Sequence, residues 1–331
     1  MVVTWPVYPM DTGTPGSLLL GRDLDVVLEP KTGHRTPDEV VSIMAGATAA
    51  IVSTDPFPRD TLQALPDLRV IARVGVGTDS IDLAAATDLG ILVTVTPDAN
   101  YRVVADHTLA LILALVRRLP ENDAAIRANR WDRAGPLTPR DLSKMTVGLL
   151  GFGRIGRAVA QRLQPFGVRV IASDPRGVPP EAGIAEVDLV TLAEESDVLS
   201  VHVPLTDETR GMVSAEFIAR MPAGAIVIST SRGGIVDEQA LTTALQSGHL
   251  AGAGLDVFQT EPPKGSPLLG LPEVILSPHI GGLSHWSIEE MTRQATQSVI
   301  DALAGNVPAG AVNPQVAAGW LDDAAQRSVR G

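Results

Sequence analysis

Six residues near the middle of the chain, Gly151-Phe152-Gly153-Arg154-Ile155-Gly156, have the types and spacing needed to hold a diphosphate. Gly151 permits a tight turn, Gly153 lets backbone N–H groups approach phosphate oxygens, and Gly156 lets the following helix pack on the preceding strand. Arg154 and Ile155 lie inside the turn and count as candidate contacts with it. The helix N-terminus adds partial positive charge. Glycine makes up 31 of 331 residues, so this pattern arises by chance in about a quarter of such chains, and alone it carries little. Its setting carries more. The apolar run Val147–Leu150 precedes it, a helical pattern at Arg157–Leu163 follows, and a second run, Val168–Ala172, leads to Asp174, 18 residues beyond Gly156. An acid there is placed to hold an adenosine ribose diol and to repel a 2′-phosphate, which favours NAD over NADP. Arg176, two residues on, softens that preference.

Such a turn works only within a parallel sheet, and the rest of the chain is patterned to supply one. Short apolar runs rich in β-branched residues recur at Val26–Leu28, Ala50–Val52, Val70–Ala72, Ile91–Val95, Val198–Val203, Ala225–Ser229, Gly254–Val257 and Val274–Leu276. Ala/Leu-rich stretches of helical period, such as Asp38–Met44 and Ile81–Leu89, separate many of them. Runs buried on both faces and alternating with helices predict α/β domains with parallel sheets. Two longer helices are predicted at Val103–Leu119, with Arg117 and Arg118 at its C-terminal end, and at Ser287–Leu303. Tyr8–Leu20, rich in Gly, Pro and Thr, reads as a loop, and the tail from about Gln315 lacks a period.

Composition narrows the classes. Apolar residues are 45% and charged residues 19%, with mean hydropathy +0.18, enough for sizeable cores, and the length suits about two domains. There is no cysteine, which removes thiolate nucleophiles, disulfide scaffolds and Cys-ligated metal sites, and no metal centre is expected. A net charge of −12 disfavours a duplex nucleic-acid binder or a polybasic membrane binder. The first 21 residues carry no Lys or Arg, and the longest apolar run, Leu109–Val116, is far short of a bilayer span. A cytoplasmic protein is the expectation.

Three more segments sit at the ends of predicted strands: 229–237 (STSRGGIVD), 254–262 (GLDVFQTEP) and 277–282 (SPHIGG). They place Arg232, Glu261 and His279 in order, at intervals of 29 and 18 residues. Together with the glycine turn they resemble the D-isomer-specific 2-hydroxyacid dehydrogenase family, from about Ala49 to Pro314. The resemblance implies an Arg–Glu–His active site acting on a 2-keto or D-2-hydroxy acid with NAD. His279 would exchange a proton with the substrate oxygen, Glu261 would hold the imidazole from its other nitrogen, and Arg232 would bind the carboxylate and developing alkoxide. It also implies cofactor contacts at Asp256, Thr230, Ser231, Val203, Pro204 and Gly281; His202 reads equally as a satisfied strand-end histidine. The family's substrate-carboxylate loop is matched by Arg73-Val74-Gly75-Val76-Gly77-Thr78-Asp79, so Val74, Gly75, Val76 and Gly77 are implied substrate contacts, with Asn100. Asp106-His107 resembles the branch containing C-terminal-binding proteins, and Arg102 reads as a solvated first-turn residue or as a site for a second anionic group.

The implied architecture is two Rossmann-like, doubly wound parallel-sheet domains. An NAD-binding domain of about 101–284 is inserted into a flavodoxin-like substrate domain of about 1–100 and 285–331. Segment Glu121–Leu142, with Trp131, resembles the family's dimerisation loop, which implies a homodimer. Two other functions share these motifs: an NAD(H)-sensing, corepressor-like protein-binding module, and a dehydrogenase of the same fold with another hydride donor such as phosphite. Phosphoglycerate-, glyoxylate/hydroxypyruvate- and lactate-type substrates are equally compatible with the motifs.

Overall fold

The computed structural model describes residues 1–317 apart from 12, 20, 21, 23, 32 and 132, so the tail beyond residue 317 lies outside the described residues. The chain divides into two compact units, Met1–Asn100 with Ser284–Gly331, and Tyr101–Leu283. Among the described residues no helix is long and apolar enough to cross a membrane.

The first unit runs β1 (Val2–Val3), β2 (Val27–Leu28), α1 (Pro37–Met44), β3 (Ala49–Val52), α2 (Arg59–Gln63), β4 (Val70–Arg73), α3 (Leu83–Asp88) and β5 (Leu92–Thr94). All strand pairs are parallel, in the order β2-β1-β3-β4-β5. Because successive strand residues face opposite sides, Ile51, Val70, Ala72 and Leu92 feed one core while Ala50, Val52, Ile71 and Val93 feed the other. Thr36 and Glu39 form a reciprocal capping box that fixes the start of α1.

The second unit continues with α4 (Tyr101–Val116), α5 (Leu119–Arg127), β6 (Thr146–Leu150), α6 (Arg154–Leu163), β7 (Arg169–Ser173), β8 (Ala185–Glu186), α7 (Leu189–Glu195), β9 (Val198–Val201), α8 (Ala215–Arg220), β10 (Ala225–Ser229), α9 (Glu238–Gln246), β11 (Leu250–Leu255) and β12 (Val274–Leu276). Its seven parallel strands are ordered β12-β11-β10-β9-β6-β7-β8. Strand order therefore reverses between β6 and β9, the switch point where open sheets of this kind take ligands. One face packs against α4 and α6 through Leu111, Ile112, Leu115, Val159 and Leu163, and the other against α7, α8 and α9 through Leu192, Ile218 and Leu241.

Helix α10 (His285–Leu303) then returns to the first unit, and its Met291, Ala295, Val299 and Ala302 join the core around Ile51 and Val70. Tyr8 meets the same helix through a 2.6 Å hydrogen bond between its hydroxyl and Thr296 Oγ1. Within Tyr8–Leu20, expected to be a loop, Pro15–Leu19 makes a turn of 3-10 helix with Leu19 buried. The single helix expected over Val103–Leu119 is two. Helix α4 stops at Val116, Arg118 takes a left-handed φ of 48°, and α5 starts with Pro120 in its first turn, where no amide donor is needed.

Candidate active site

Strands β10, β11 and β12 are neighbours, with Ser229 paired to Leu255 and Leu255 to Leu276, so their C-terminal ends finish level. The loops bearing Arg232, Glu261 and His279 thereby leave the sheet side by side. Gly233 shows how tightly two of them interlock: a β-carbon there would overlap the Phe258 carbonyl oxygen. From the same loop, Phe258 N–H donates to Glu261 Oε1 at 3.1 Å, fixing the carboxylate, and Glu261 Oε2 lies 2.8 Å from His279 Nδ1. With Nδ1 engaged, proton exchange with a ligand falls to Nε2; the imidazole is about one-third exposed. His279 adopts φ 54°, a left-handed conformation that costs a non-glycine residue about 1–3 kcal/mol. Its amide donates to the carbonyls of Asp256 at 2.9 Å and Ser277 at 3.0 Å, which holds it there. Arg232 Nη1 donates to the Ser231 carbonyl at 2.7 Å.

Beneath this corner Asp256, the first residue past β11, is almost fully buried and serves as a knot between loops. Its Oδ1 accepts from Ser277 Oγ at 2.6 Å and Ile280 N–H at 2.9 Å, and its Oδ2 from Gly281 N–H at 2.7 Å. Gly281 must be glycine, since a β-carbon would stand 2.7 Å from that Oδ2. Helix α4 reaches the same edge. His107 Nε2 is 2.9 Å from Ser277 Oγ, and Thr108 Oγ1 is 3.0 Å from Thr230 Oγ1. Sequence reading gave Ser277 and His107 no role here. The available signal was their position, Ser277 two residues before His279 and His107 in the polar stretch Asp106–Thr108 that precedes the apolar run of α4.

At the switch point Gly151, φ 98°, brings its α-carbon so near the strand-β9 loop that a β-carbon would lie 2.8 Å from His202 C. A β-carbon on Gly156 would overlap the Gly151 carbonyl oxygen. Gly153 differs: it is the N-cap of α6, offers no side-chain cap, and an added β-carbon would meet only Arg176 Nη2, at 3.5 Å. The helix N-terminus is thus uncovered by side chain at its cap. Asp174, one residue past β7, is buried and accepts from Phe152 N–H on Oδ2 and Arg176 N–H on Oδ1, both at 2.8 Å. Burial, the largest single influence, pushes its carboxyl up, but the Arg176 and Phe152 hydrogen bonds together bring it below the usual carboxylate range.

Two buried polar atoms at this edge lack a hydrogen-bond partner, His202 Nδ1 beyond β9 and Ser231 Oγ beyond β10. An unsatisfied buried group costs about 1–3 kcal/mol, so the edge is built for a polar ligand. His202 Nε2 is satisfied by Ser200 Oγ at 2.9 Å, and burial lowers the imidazole to about 4, keeping it neutral. An open glycine turn, a fixed acid at the end of β7 and orphaned polar atoms past β9 and β10 together fit a dinucleotide.

Residues 109–281 match the family model described as D-isomer specific 2-hydroxyacid dehydrogenase, NAD binding domain. The chain is 40% identical over 296 residues to D-3-phosphoglycerate dehydrogenase of Mycobacterium tuberculosis, an alignment covering 86% of this chain and 56% of that protein. It is 41% identical over 276 residues to glyoxylate reductase of Korarchaeum cryptofilum, covering 81% and 83%. The chain belongs to the D-isomer-specific 2-hydroxyacid dehydrogenase family. It spans about half the length of the curated phosphoglycerate dehydrogenases it matches. Among solved structures, D-lactate dehydrogenase from Aquifex aeolicus, complexed with NAD and lactic acid, superposes with TM-score 0.84 at 31% identity, covering 95% of this chain and 99% of that one. The second unit thus combines a parallel-sheet architecture with a match to the family's NAD binding domain.

The remaining expected positions are placed as follows. Thr230 and Val203 are buried, and Pro204 is exposed. Arg154 and Ile155 open α6. In the first unit, Val74 N–H donates to Val52 O at 2.7 Å and Gly75 N–H to Thr96 Oγ1 at 2.9 Å, so these two amides already have partners. The amides of Val76 and Gly77 enter none of the hydrogen bonds found among the described residues. The Arg73 side chain folds over Gly75, leaving no room for a β-carbon. Asn100 immediately precedes α4. Arg102 is exposed, with Nε 2.9 Å from Tyr101 Oη and its guanidinium over the Tyr101 ring, while Asp106 pairs with Arg162 at 2.6 Å.

Proposed function

We propose that the protein is an NAD-dependent oxidoreductase interconverting small 2-keto acids and D-2-hydroxy acids. The observation that carries this is the 2.8 Å Glu261–His279 pair, made between the loops past β11 and β12, the first of which interlocks with that of Arg232, at the sheet edge where the dinucleotide turn opens. Bound NAD(H) supplies or accepts the hydride at substrate C2. His279 donates its Nε2 proton to the keto oxygen during reduction and takes it back during oxidation. Glu261 holds the ring by Nδ1 and stabilises the imidazolium. Arg232, with a planar fork suited to two oxygens, binds the substrate carboxylate and the developing alkoxide.

Within this reading Gly151, Gly153, Arg154, Ile155, Gly156, Asp174, Val203, Pro204, Thr230, Ser231, Asp256 and Gly281 serve the cofactor. Val74, Gly75, Val76, Gly77, Asn100 and Arg102 are candidate substrate contacts, with the uncommitted amides of Val76 and Gly77 first among them. A cytoplasmic homodimer belongs to the same proposal, supported by exposed Leu119, Ile126 and Trp131 on and just beyond α5. The protein-binding and phosphite-oxidising alternatives find no support in the relatives reported above.

The test is NADH oxidation, followed at the nicotinamide absorbance band, with glyoxylate, hydroxypyruvate, pyruvate and 3-phosphohydroxypyruvate. Turnover of at least one, giving the D product where the product is chiral, is expected. Tight NADH binding with no turnover on any of the four would reject the assignment.

A further inference from the structure

We propose that His107 is a positioning residue for the cofactor: acting through Ser277, it holds the Asp256 carboxylate so that a single acceptor position, on Oδ2, is left for an N–H donor of bound NAD(H). The inference rests on the reading of Asp256 as a cofactor contact, and assigns a residue that acts on that contact from behind.

The direction of each hydrogen bond follows from chemistry. A carboxylate only accepts, so the Ser277 hydroxyl gives its one proton to Asp256 Oδ1, at 2.6 Å. The same hydroxyl is then left only to accept, and His107 Nε2, 2.9 Å away, must carry the hydrogen. The imidazole also stands 3.6 Å from Oδ1 itself, and its Cδ2 lies 3.3 Å from where a β-carbon on Gly281 would be. It therefore backs both the carboxylate and the loop amide bound to it.

Helix α4 is not free to carry His107 away. Three successive residues fasten it in different directions: Asp106 Oδ1 accepts from Arg162 Nε of α6 at 2.6 Å, His107 meets Ser277 beyond β12, and Thr108 Oγ1 lies 3.0 Å from Thr230 Oγ1 beyond β10. Neighbouring side chains on a helix point about 100° apart, so these ties fix the rotation of α4 as well as its place.

Each oxygen of Asp256 offers about two acceptor positions. Oδ1 spends both, on Ser277 Oγ and Ile280 N–H, and Oδ2 spends one on Gly281 N–H, so among the described residues one position on Oδ2 is left. An unfilled acceptor on a residue only 1% exposed suits a ligand donor. Strand order says which donor. With the glycine turn after β6 and Asp174 after β7, the adenosine half would lie toward β7 and the other half would run past β9 and β10 toward β11, where Asp256 stands. At that far end a pyridine nucleotide carries a carboxamide NH2.

The full chain is titrated by calorimetry with NADH and with its 3-acetylpyridine analogue, in which a methyl group replaces the carboxamide NH2. Wild type is expected to bind NADH more tightly than the analogue. His107→Leu should weaken NADH about three- to tenfold while the analogue changes less than about twofold. His107→Gln, whose amide N–H can donate to Ser277, should return NADH to within about twofold of wild type. Ser277→Ala cuts the same link without touching α4; it should reproduce the leucine variant, and combining the two should cost nothing more. Unchanged NADH affinity in His107→Leu, equal weakening of both dinucleotides, or a loss that glutamine does not relieve overturns the inference. Should His107→Leu fail to fold, Ser277→Ala decides by the same comparison, selective loss supporting the inference and equal or no loss overturning it. A wild type that binds NADH and the analogue equally overturns the reading of Asp256, and this inference with it, while leaving the dinucleotide site standing; one that binds neither overturns that site as well.

Discussion

The glycine turn at 151–156 and the Arg232–Glu261–His279 corner lie on the C-terminal edge of one sheet, yet they are made in opposite ways. The turn works by what it lacks. Gly151 and Gly156 leave no space for a β-carbon, and Gly153 leaves space that the fold itself does not fill. The corner works by side chains that position other side chains: Phe258 N–H aims Glu261, Glu261 aims His279, and a buried Asp256 ties the loops below. A site of the first kind fails when atoms are added, and fails in binding. A site of the second kind fails when atoms are removed, and fails in rate.

The sharpest way to break that contrast is His279→Ala. It should lower kcat by about 10²–10⁴-fold while NADH affinity, read by fluorescence titration, stays within about twofold. A matching loss of NADH affinity would merge the two regions into one. Glu261→Gln keeps the size of the side chain and removes its charge, so steady-state kinetics should show kcat about 10–100-fold down with KM little changed. On the other side, Gly153→Ala should leave Tm unchanged, because only the exposed Arg176 guanidinium is near, at 3.5 Å, while weakening NADH by about tenfold. Gly156→Ala should instead lower Tm by several degrees, since its β-carbon overlaps backbone. If both glycine variants shift Tm equally, Gly153 is structural and the distinction within the turn is lost.

The smallest expected effect concerns the boundary between the regions, where His202 is held neutral. Its folded-state pKa is lowered from 6.5 to about 4 by burial, so as pH falls through that window the unfolded chain takes up a proton that the fold refuses. This contribution to stability is fully present above 6.5 and is lost toward about 4. Wild-type Tm should accordingly fall a few degrees further than that of His202→Gln across the window, read by scanning fluorimetry. Parallel Tm curves would show that His202 does not set it.

Legibility in the sequence follows the strength of the local signal. Ala225–Ser229 and Val274–Leu276 were readable to the residue, because each is a run of apolar, mostly β-branched residues bounded by turn formers. Strands β1 and β8 were not, since two residues carry no period and their pairing is decided by neighbours distant in sequence. The break after Val116 was missed because an apolar helical pattern outweighed Pro120, and a left-handed arginine has no mark of its own. At the candidate site, Arg232, Glu261 and His279 stood out through the family resemblance that their three strand-end segments carry. Ser277 and His107 did not, because what brings them to Asp256 is the alignment of three strand ends and the packing of α4 across them.

The amides of Ile280 and Gly281 lie outside every strand and helix, yet both are locked onto a carboxylate only 1% exposed. Loop amides usually trade their hydrogen for solvent deuterium quickly, but these two must wait until the knot at Asp256 opens. Their exchange rates therefore clock how often the loops past β11 and β12 come apart, and they do so in the resting protein, with no substrate and no turnover required.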